Sequence, residues 1–395
     1  LLKAVIFDMD GVIIDSEPMH ARAALMALER YNISITIHQL DEYIGSTTIN
    51  MCNQFIKQFS LPCTADELLQ VNDEMKATLL KDEGHTVIPY VIDLIKDLHK
   101  NGIKLIIASS SPSEAIEEVL SSLKLQEYFE GYVSGNMVKR TKPDPEIFIK
   151  AADKIGVNPS QCVVIEDSYN GVTAANAAGM TCIGFINPNS GKQDLSKAFI
   201  LVEGFDEVDY AFVNKVYQHA HYEPATLFHT DRLTIRELSL EDIEDLFLIC
   251  QKPEIKSYLE DFSEDLSIEK DKLKAYIRNI YHLYGYGLWG VYLKDSNRLI
   301  GRCGIEYKSD DREDYHEIGY FIDPVHQGNG YAKEFVAATI RYCFQNYDIP
   351  RIIANIEQGN LPSALLAQKV GMKKKTEMSR NNKIYDVYEI INTGY

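Results

Sequence analysis

The chain has 395 residues, a formal net charge of −18 and 45% hydrophobic residues. That length exceeds one ordinary core, so two or three domains are expected, with enough apolar residues to fill the cores of a soluble globular protein. The acidic balance, without any long basic run, argues against nucleic acid or a membrane surface as partner, while a local electropositive pocket for a phosphate stays compatible with it.

The first element, KAVIFD, reads as a buried strand that ends at Asp8, and Asp10 and Gly11 follow at once. Two carboxylates this close repel each other unless a cation sits between them. A bound Mg²⁺ would remove the repulsion, leaving Asp8 free to act as a nucleophile that forms an acyl phosphate. Asp10 could then protonate the leaving oxygen and later activate water. Gly11 lets the chain turn sharply behind them. Residues 15–81 show helical periods and no clear strand, as in MHARAALMALERY, STTINMCNQFIKQF and ADELLQVNDEMKATLL. This is expected to be a helical insert standing over the site as a lid.

Three further apolar runs, KLIIASS, CVVIED and TCIGFI, alternate with helical patterns. The alternation predicts parallel strands with crossover helices, an α/β doubly wound domain, in which ligands gather at the carboxyl ends of the strands. Asp8, Ser109 and Asp167 all lie just past strand ends. Ser109, Ser110 and Ser111 precede a helix start, where hydroxyls and free amides suit a phosphate; Ser110 and Ser111 serve equally well as turn formers. Lys142, before a proline-stiffened turn, is a point charge, and Glu166 and Asp167 offer hard oxygen ligands to Mg²⁺.

This order of motifs resembles the haloacid dehalogenase superfamily of phosphohydrolases over residues 1 to about 217. DMDGVIIDSE and KPDPEIF are similar to its β-phosphoglucomutase and sugar-phosphatase branch, with a Rossmann-like core (1–14 and 82–218) and a helical cap (15–81). The resemblance implies Asp8 as nucleophile and metal ligand, and Asp10 as general acid/base with its backbone carbonyl on the metal. Ser109 and Lys142 would bind the transferring phosphoryl group, and Glu166 and Asp167 would complete the Mg²⁺ site. His20 lies where the mutase branch has a cap-hinge histidine, against a competing reading as a solvated surface residue. Thr48 stands where that branch has a cap arginine for a second phosphate, and Pro112 where it has a lysine. A phosphatase acting on a small phosphorylated metabolite is therefore favoured over a phosphosugar mutase.

The stretch 219–230, HAHYEPATLFHT, has no clear period and is expected to be a linker. Beyond it, DRLTIREL reads as a strand, EDIEDLFLICQ as a helix, and GLWGVYLKDSNRLIGRCGIEYK as a hairpin turning at Asp-Ser-Asn. HEIGYFIDP is a further strand. A glycine-containing loop, Gln327, Gly328, Asn329, Gly330, Tyr331 and Ala332, then opens a helix. Small residues and a helix N-terminus suit a pyrophosphate, though the spacing is Q-x-x-G-x-A and not that of a dinucleotide fold. Mixed strands with flanking helices predict a separate α+β domain, residues 231–395.

This second half resembles the GCN5-related N-acetyltransferase (GNAT) family throughout, most closely the branch that acetylates ribosomal-protein N-termini and other amines. The resemblance implies acetyl-CoA as co-substrate and an amine acceptor, either a small molecule or a protein N-terminus. Q-x-x-G-x-A would be its pyrophosphate loop. Amides of the strand Ile318–Ile322 would polarise the thioester. Glu317 or Glu306 could act as base, and Asn360 would contact CoA or its neighbouring strand. Leu365, Leu366 and Ala367 occupy the region where many members carry a general-acid tyrosine, so no general acid is assigned. The alternative to two working enzymes is a mutase with a CoA-binding regulatory module.

Seven scattered cysteines, an odd count without a Cys-x-x-Cys pair, fit inert thiols in a reducing cytoplasm, the expected location. The start, Leu1-Leu2-Lys3, runs into a strand and does not read as a signal peptide. No apolar run approaches the roughly 20 residues of a membrane span.

Overall fold

Phe7 lies level with Ile107 on one side and Ile165 on the other, and this register organises the first half of the molecule. The computed structural model describes residues 1–43, 48–259, 262–281, 284–309 and 314–394. The chain divides into two units, Leu1–His221 and Tyr222–Tyr395.

The first unit is built on six parallel strands: β1 (Ala4–Phe7), β2 (Lys104–Ser109), β3 (Tyr132–Ser134), β4 (Cys162–Glu166), β5 (Thr181–Phe185) and β6 (Ile200–Val202), in the spatial order β3-β2-β1-β4-β5-β6. β1 is buried along its whole length because helices cover both faces, hence its unbroken apolar run. Alternate residues serve the two cores. Val5, Phe7, Leu105 and Ile107 pack with helices α4 (Val91–Lys100), α5 (Ser113–Leu123) and α8 (Tyr210–Ala220). Ala4, Ile6, Ile106 and Ala108 pack with α6 (Glu146–Lys154) and α7 (Tyr169–Ala177). The three-residue edge strands β3 and β6 are too short to leave a periodic signal, and the sequence reading omitted them.

Between β1 and α4 stand α1 (Glu17–Glu29), α2 (Thr48–Phe59) and α3 (Ala65–Glu83). They enclose their own core of Ala23, Ala27, Leu28, Phe55, Leu68 and Met75. α3 starts at a capping box, Thr64 with Glu67, in which each side chain accepts from the other residue's backbone amide. Ser46 and Thr47, at the start of one expected helical period, lie outside the described residues.

The second unit holds an eight-stranded sheet: β7 (Thr226–His229), β8 (Leu233–Arg236), β9 (Leu288–Leu293), β10 (Leu299–Ser309), β11 (Asp314–Ile322), β12 (Arg351–Glu357), β13 (Lys373–Arg380) and β14 (Lys383–Ile391). The spatial order is β13-β14-β12-β11-β10-β9-β8-β7. Among the described residues only β11 and β12 run parallel to each other, and they pair at two positions, His316 with Ile352 and Glu317 with Ile353. Beyond Glu317 the two strands part. One sheet face packs on α12 (Tyr331–Asn346) and α13 (Leu361–Lys369) through Ile305, Ile318, Ile352, Phe335 and Ile340. α9 (Ile243–Cys250), α10 (Pro253–Lys256) and α11 (Leu266–Tyr276) complete the helices used below.

The 219–230 linker expectation is corrected. Half of that stretch is the end of α8 and strand β7, whose Leu227 and Phe228 pack on the second core. A four-residue edge strand, bulged against β8, masks its own period. The β13–β14 hairpin was also missed; Asn381 and Asn382 both take positive φ at its turn, the geometry that Asn-Asn favours. Among the described residues no helix is long and apolar enough to cross a membrane.

Candidate functional sites

The parallel register carries three strand ends to one edge of the first sheet. Asp8 follows β1, Ser109 closes β2, and Glu166 closes β4 with Asp167 after it. They surround a cavity of about 170 Å³ that Asp10, Ser110 and Lys142 also line. Lys142 is the hub. Its Nζ donates to Asp8 Oδ1 at 2.6 Å, to Glu166 Oε1 at 2.7 Å and to the Ala108 carbonyl at 3.1 Å. Its loop is held by Glu146, which accepts from the amides of Lys139 and Arg140 at 3.1 Å each.

Asp8, Glu166 and Asp167 are buried, and one carboxylate oxygen from each falls within 4.8 Å of the others. Burial pushes the Asp8 carboxyl well above the ordinary range even against the Lys142 charge. Burial, then Glu166, pushes Asp167 up to about 7. Burial opposes the charge of Lys142, but Asp8 and Glu166 outweigh it and hold its pKa above the ordinary lysine value. Three carboxylates thus share one ammonium, and the cluster is short of positive charge. Its all-oxygen donor set fits Mg²⁺. Two glycines make room for it. A Cβ on Gly11 (φ +81°) would sit 2.0 Å from Asp167 Oδ2, and one on Gly171 would sit 1.7 Å from Glu166 Oε1.

Asp10 is expected to meet the metal through its backbone carbonyl, and its carboxylate is engaged apart from those of Asp8, Glu166 and Asp167. Its carboxylate accepts from Ser111 Oγ at 2.6 Å and from Ser109 Oγ at 3.3 Å. Ser110 is exposed at the cavity mouth, and Ser111 holds Asp10. The sequence weighs Ser111 evenly between phosphate binding and turn formation, because a serine triplet does not say which hydroxyl turns inward. Two other serines escaped the sequence reading. Ser168 donates from its amide and its hydroxyl to Glu166 Oε2, each at 2.9 Å, and Ser190 donates to Asp167 Oδ2. His20 is no surface residue: its Nε2 lies 3.3 Å from Lys76 Nζ of α3, and burial, then Lys76, lower its pKa to about 4.

In the second unit the parting of β11 from β12 opens a cleft of about 430 Å³. Glu317, directly opposite Glu306 on β10, lines it together with Asn355 and Asn360. Glu306 is fully engaged, accepting from Tyr276 at 2.9 Å and Lys308 at 3.0 Å. Burial raises the Glu317 carboxyl despite Lys308. Asn360 caps α13 by accepting from the Ser363 amide at 3.2 Å. The strand wall facing the cleft runs from Ile318 to Phe321. The side chain of Ile322, the next residue, stands in the core with Phe335 and Val336, as does that of Ile318, so at these two positions β11 can offer the cleft only its backbone.

Gln327, Gly328, Asn329 and Gly330 are exposed before α12, with Tyr331 and Ala332 half-buried in its first turn. Gly328 and Gly330 take φ of +79° and +80°, a left-handed conformation that glycine adopts without strain. The first amides of α12 have no preceding turn to bond to and face outward with the positive end of the helix dipole. Arg232 braces this loop, and the sequence reading missed it because it sits 95 residues upstream of Gln327. It donates to the Asn329 carbonyl at 3.0 Å and to Glu334 at 2.7 Å, and its guanidinium stacks 4.3 Å from the Tyr331 ring centre. Dipole and guanidinium together suit a pyrophosphate.

Comparison with known proteins agrees with both arrangements. The haloacid dehalogenase-like hydrolase family matches residues 5–185, and the acetyltransferase (GNAT) domain family matches residues 232–373. Among curated relatives, fructose-1-phosphate phosphatase YqaB of Escherichia coli is 33% identical over 179 residues, which is 45% of this chain and 94% of that protein. A phosphorylated carbohydrates phosphatase of Thermotoga maritima is 32% identical over 52% of this chain and 96% of its own length. Hexitol phosphatase B of Escherichia coli is 31% identical over 46% of this chain and 82% of its own length. The chain is an enzyme whose first half belongs to the haloacid dehalogenase-like hydrolases and whose second half matches the acetyltransferase (GNAT) domain family over residues 232–373.

Proposed function

We propose that the chain is bifunctional: a Mg²⁺-dependent phosphatase of small sugar or polyol phosphates, joined to an acetyl-CoA-dependent N-acetyltransferase. The observation that carries the first half is the Lys142 bridge between Asp8 and Glu166, at 2.6 and 2.7 Å, beneath a cavity sized for a phosphoryl group. The curated relatives named as carbohydrate and hexitol phosphatases support the substrate class. Asp8 attacks phosphorus while Asp10 donates its proton to the leaving alcohol oxygen. The aspartyl phosphate is then cleaved by water, which gives a proton to Asp10 as its oxygen bonds phosphorus and the Asp8–phosphorus bond breaks. Ser111 and Ser109 keep the Asp10 carboxyl aimed. Ser109 and Lys142 hold the equatorial oxygens. Asp8, Glu166 and Asp167 would hold Mg²⁺, with the Asp10 carbonyl, and the ion would supply charge neutralisation around the transferring group.

In the second half, α12 and its glycine loop would take the pyrophosphate of acetyl-CoA, and the cleft would take the thioester and the amine. The amine nitrogen bonds the acetyl carbon, its proton passes to Glu317, and the carbon–sulfur bond breaks to release CoA, which takes up a proton from solvent. Burial raises Glu317, which makes it a stronger base than an exposed carboxylate. The test is phosphate release from a panel of sugar monophosphates with Mg²⁺, beside thiol release from acetyl-CoA with an amine panel. Release of phosphate by wild type and not by Asp8→Asn supports the first activity, and no release from any compound overturns it. Acceptor-dependent thiol release decides the second in the same way.

A further inference from the structure

The charges around the second-unit cleft are mostly paired among themselves. Lys308 holds Glu306 at 3.0 Å, and Lys383 holds Glu357 at 2.8 Å. Arg302 is turned onto the Tyr276 ring, 5.0 Å from its centre. Two opposite charges are left over. Among the described residues neither Glu317 on β11 nor Arg380 on β13 has an ion-pair partner, and both line the cleft. Beside Glu317, Asn355 also lines the cleft, and its buried Oδ1 has no hydrogen-bond partner.

The Asn355 side chain hydrogen-bonds the Glu317 carboxylate and keeps its own oxygen free, so the cleft presents a carboxylate, an unpartnered amide oxygen and a guanidinium outside any ion pair, a set complementary to a zwitterion. An ammonium or amine has several N–H groups and needs more than one acceptor, which Glu317 and Asn355 supply. A guanidinium without a partner is a fork for a carboxylate or phosphate. We propose that the cleft takes a small acceptor with a primary amine at one end, met by Glu317 and Asn355, and an anionic group at the other, met by Arg380. This deepens the acetyltransferase reading and rests on it. It also separates the two acceptor classes: a protein N-terminus has its α-carboxyl tied up in a peptide bond and lacks that anion.

The test uses the full chain and matched acceptors: O-phosphoethanolamine against ethanolamine, β-alanine against β-alaninamide, and a neutral peptide with a free N-terminus. Thiol release from acetyl-CoA gives kcat/KM for each. The anionic member of a pair should be preferred by about 10- to 100-fold, the range of a charge-assisted hydrogen bond lost or kept. The phosphate and carboxylate pairs show which anion fits better. Arg380→Gln should collapse the preference, and Arg380→Glu should reverse it. Arg380 is exposed on an edge strand, so neither substitution disturbs a core. Equal rates for both members of each pair, or a preference for the peptide, would overturn the proposal while leaving the acetyltransferase reading intact. Calorimetric titration of O-phosphoethanolamine into protein saturated with CoA distinguishes the converse. Binding that Arg380→Gln abolishes, with no thiol release from any acceptor, keeps the anionic-amine site and removes the transferase reading. Neither binding nor release removes both.

Discussion

Replacing Lys142 by Met tests the whole first site through stability and does not depend on knowing the substrate. The Lys142 side chain is 7% exposed and its partners Asp8 and Glu166 are 10% and 0% exposed, so water cannot take over its role. Removing one partner of a buried ion pair costs about 3–5 kcal/mol. Here two carboxylates lose their cation, although Ser168 still donates twice to Glu166, which places the loss near 5 kcal/mol, the upper end of that range. For a unit of this size each kcal/mol moves the unfolding midpoint by about 2–4 °C, so the drop should be about 10–20 °C. Scanning calorimetry of the full chain, following the transition that Mg²⁺ shifts, measures it. Mg²⁺ should restore part of the loss, because a bound cation replaces some of the missing charge and stabilises by mass action. A drop below about 3 °C would refute the view of Lys142 as the electrostatic keystone of a buried carboxylate cluster. So would a midpoint that Mg²⁺ does not change in either protein.

Asp8→Asn should abolish phosphate release while leaving acetyl-CoA affinity unchanged by calorimetry; residual turnover in a clean preparation would remove Asp8 from the nucleophile's role. Ser111→Ala should lower kcat by about tenfold by letting Asp10 swing, with a shifted pH profile, and Ser111→Thr should restore most of it, since only a hydroxyl is needed at 2.6 Å. Gly330→Glu should weaken acetyl-CoA binding at least about tenfold through charge, bulk and the loss of a residue content at φ +80°. His20 has its pKa lowered to about 4, so the folded state favours its neutral form. The stability this represents is full above the unfolded pKa near 6.5, falls as pH drops from there toward 4, and totals on the order of 3 kcal/mol. Urea unfolding at pH 7.5 and pH 5 should show a smaller loss for His20→Gln than for wild type, and equal losses would contradict the burial of that imidazole against Lys76.

Much of the first site was legible because its residues sit where an unbroken apolar run stops. Asp8, Ser109, Glu166 and Asp167 each mark the end of a buried strand, and parallel register does the rest. Ser190 follows a loop with no period, and Lys76 lies on a helix 66 residues beyond Asp10, so neither carries a local signal. Strands of three or four residues, and the Asn381-Asn382 hairpin, fell below or outside the pattern that was read.

The amino-acid sequence by itself determined the two fold classes and the six polar groups of the first centre, since hydrophobic period and strand-end chemistry are local properties. Tertiary structure alone decided how those groups divide their work. It brought Lys142 between Asp8 and Glu166, turned the Asp10 carboxylate to Ser111, and set Glu317 and Arg380 on one cleft outside any ion pair among the described residues. Charge pairing depends on distance in space, and residues far apart in the chain acquire that distance only when the sheets form.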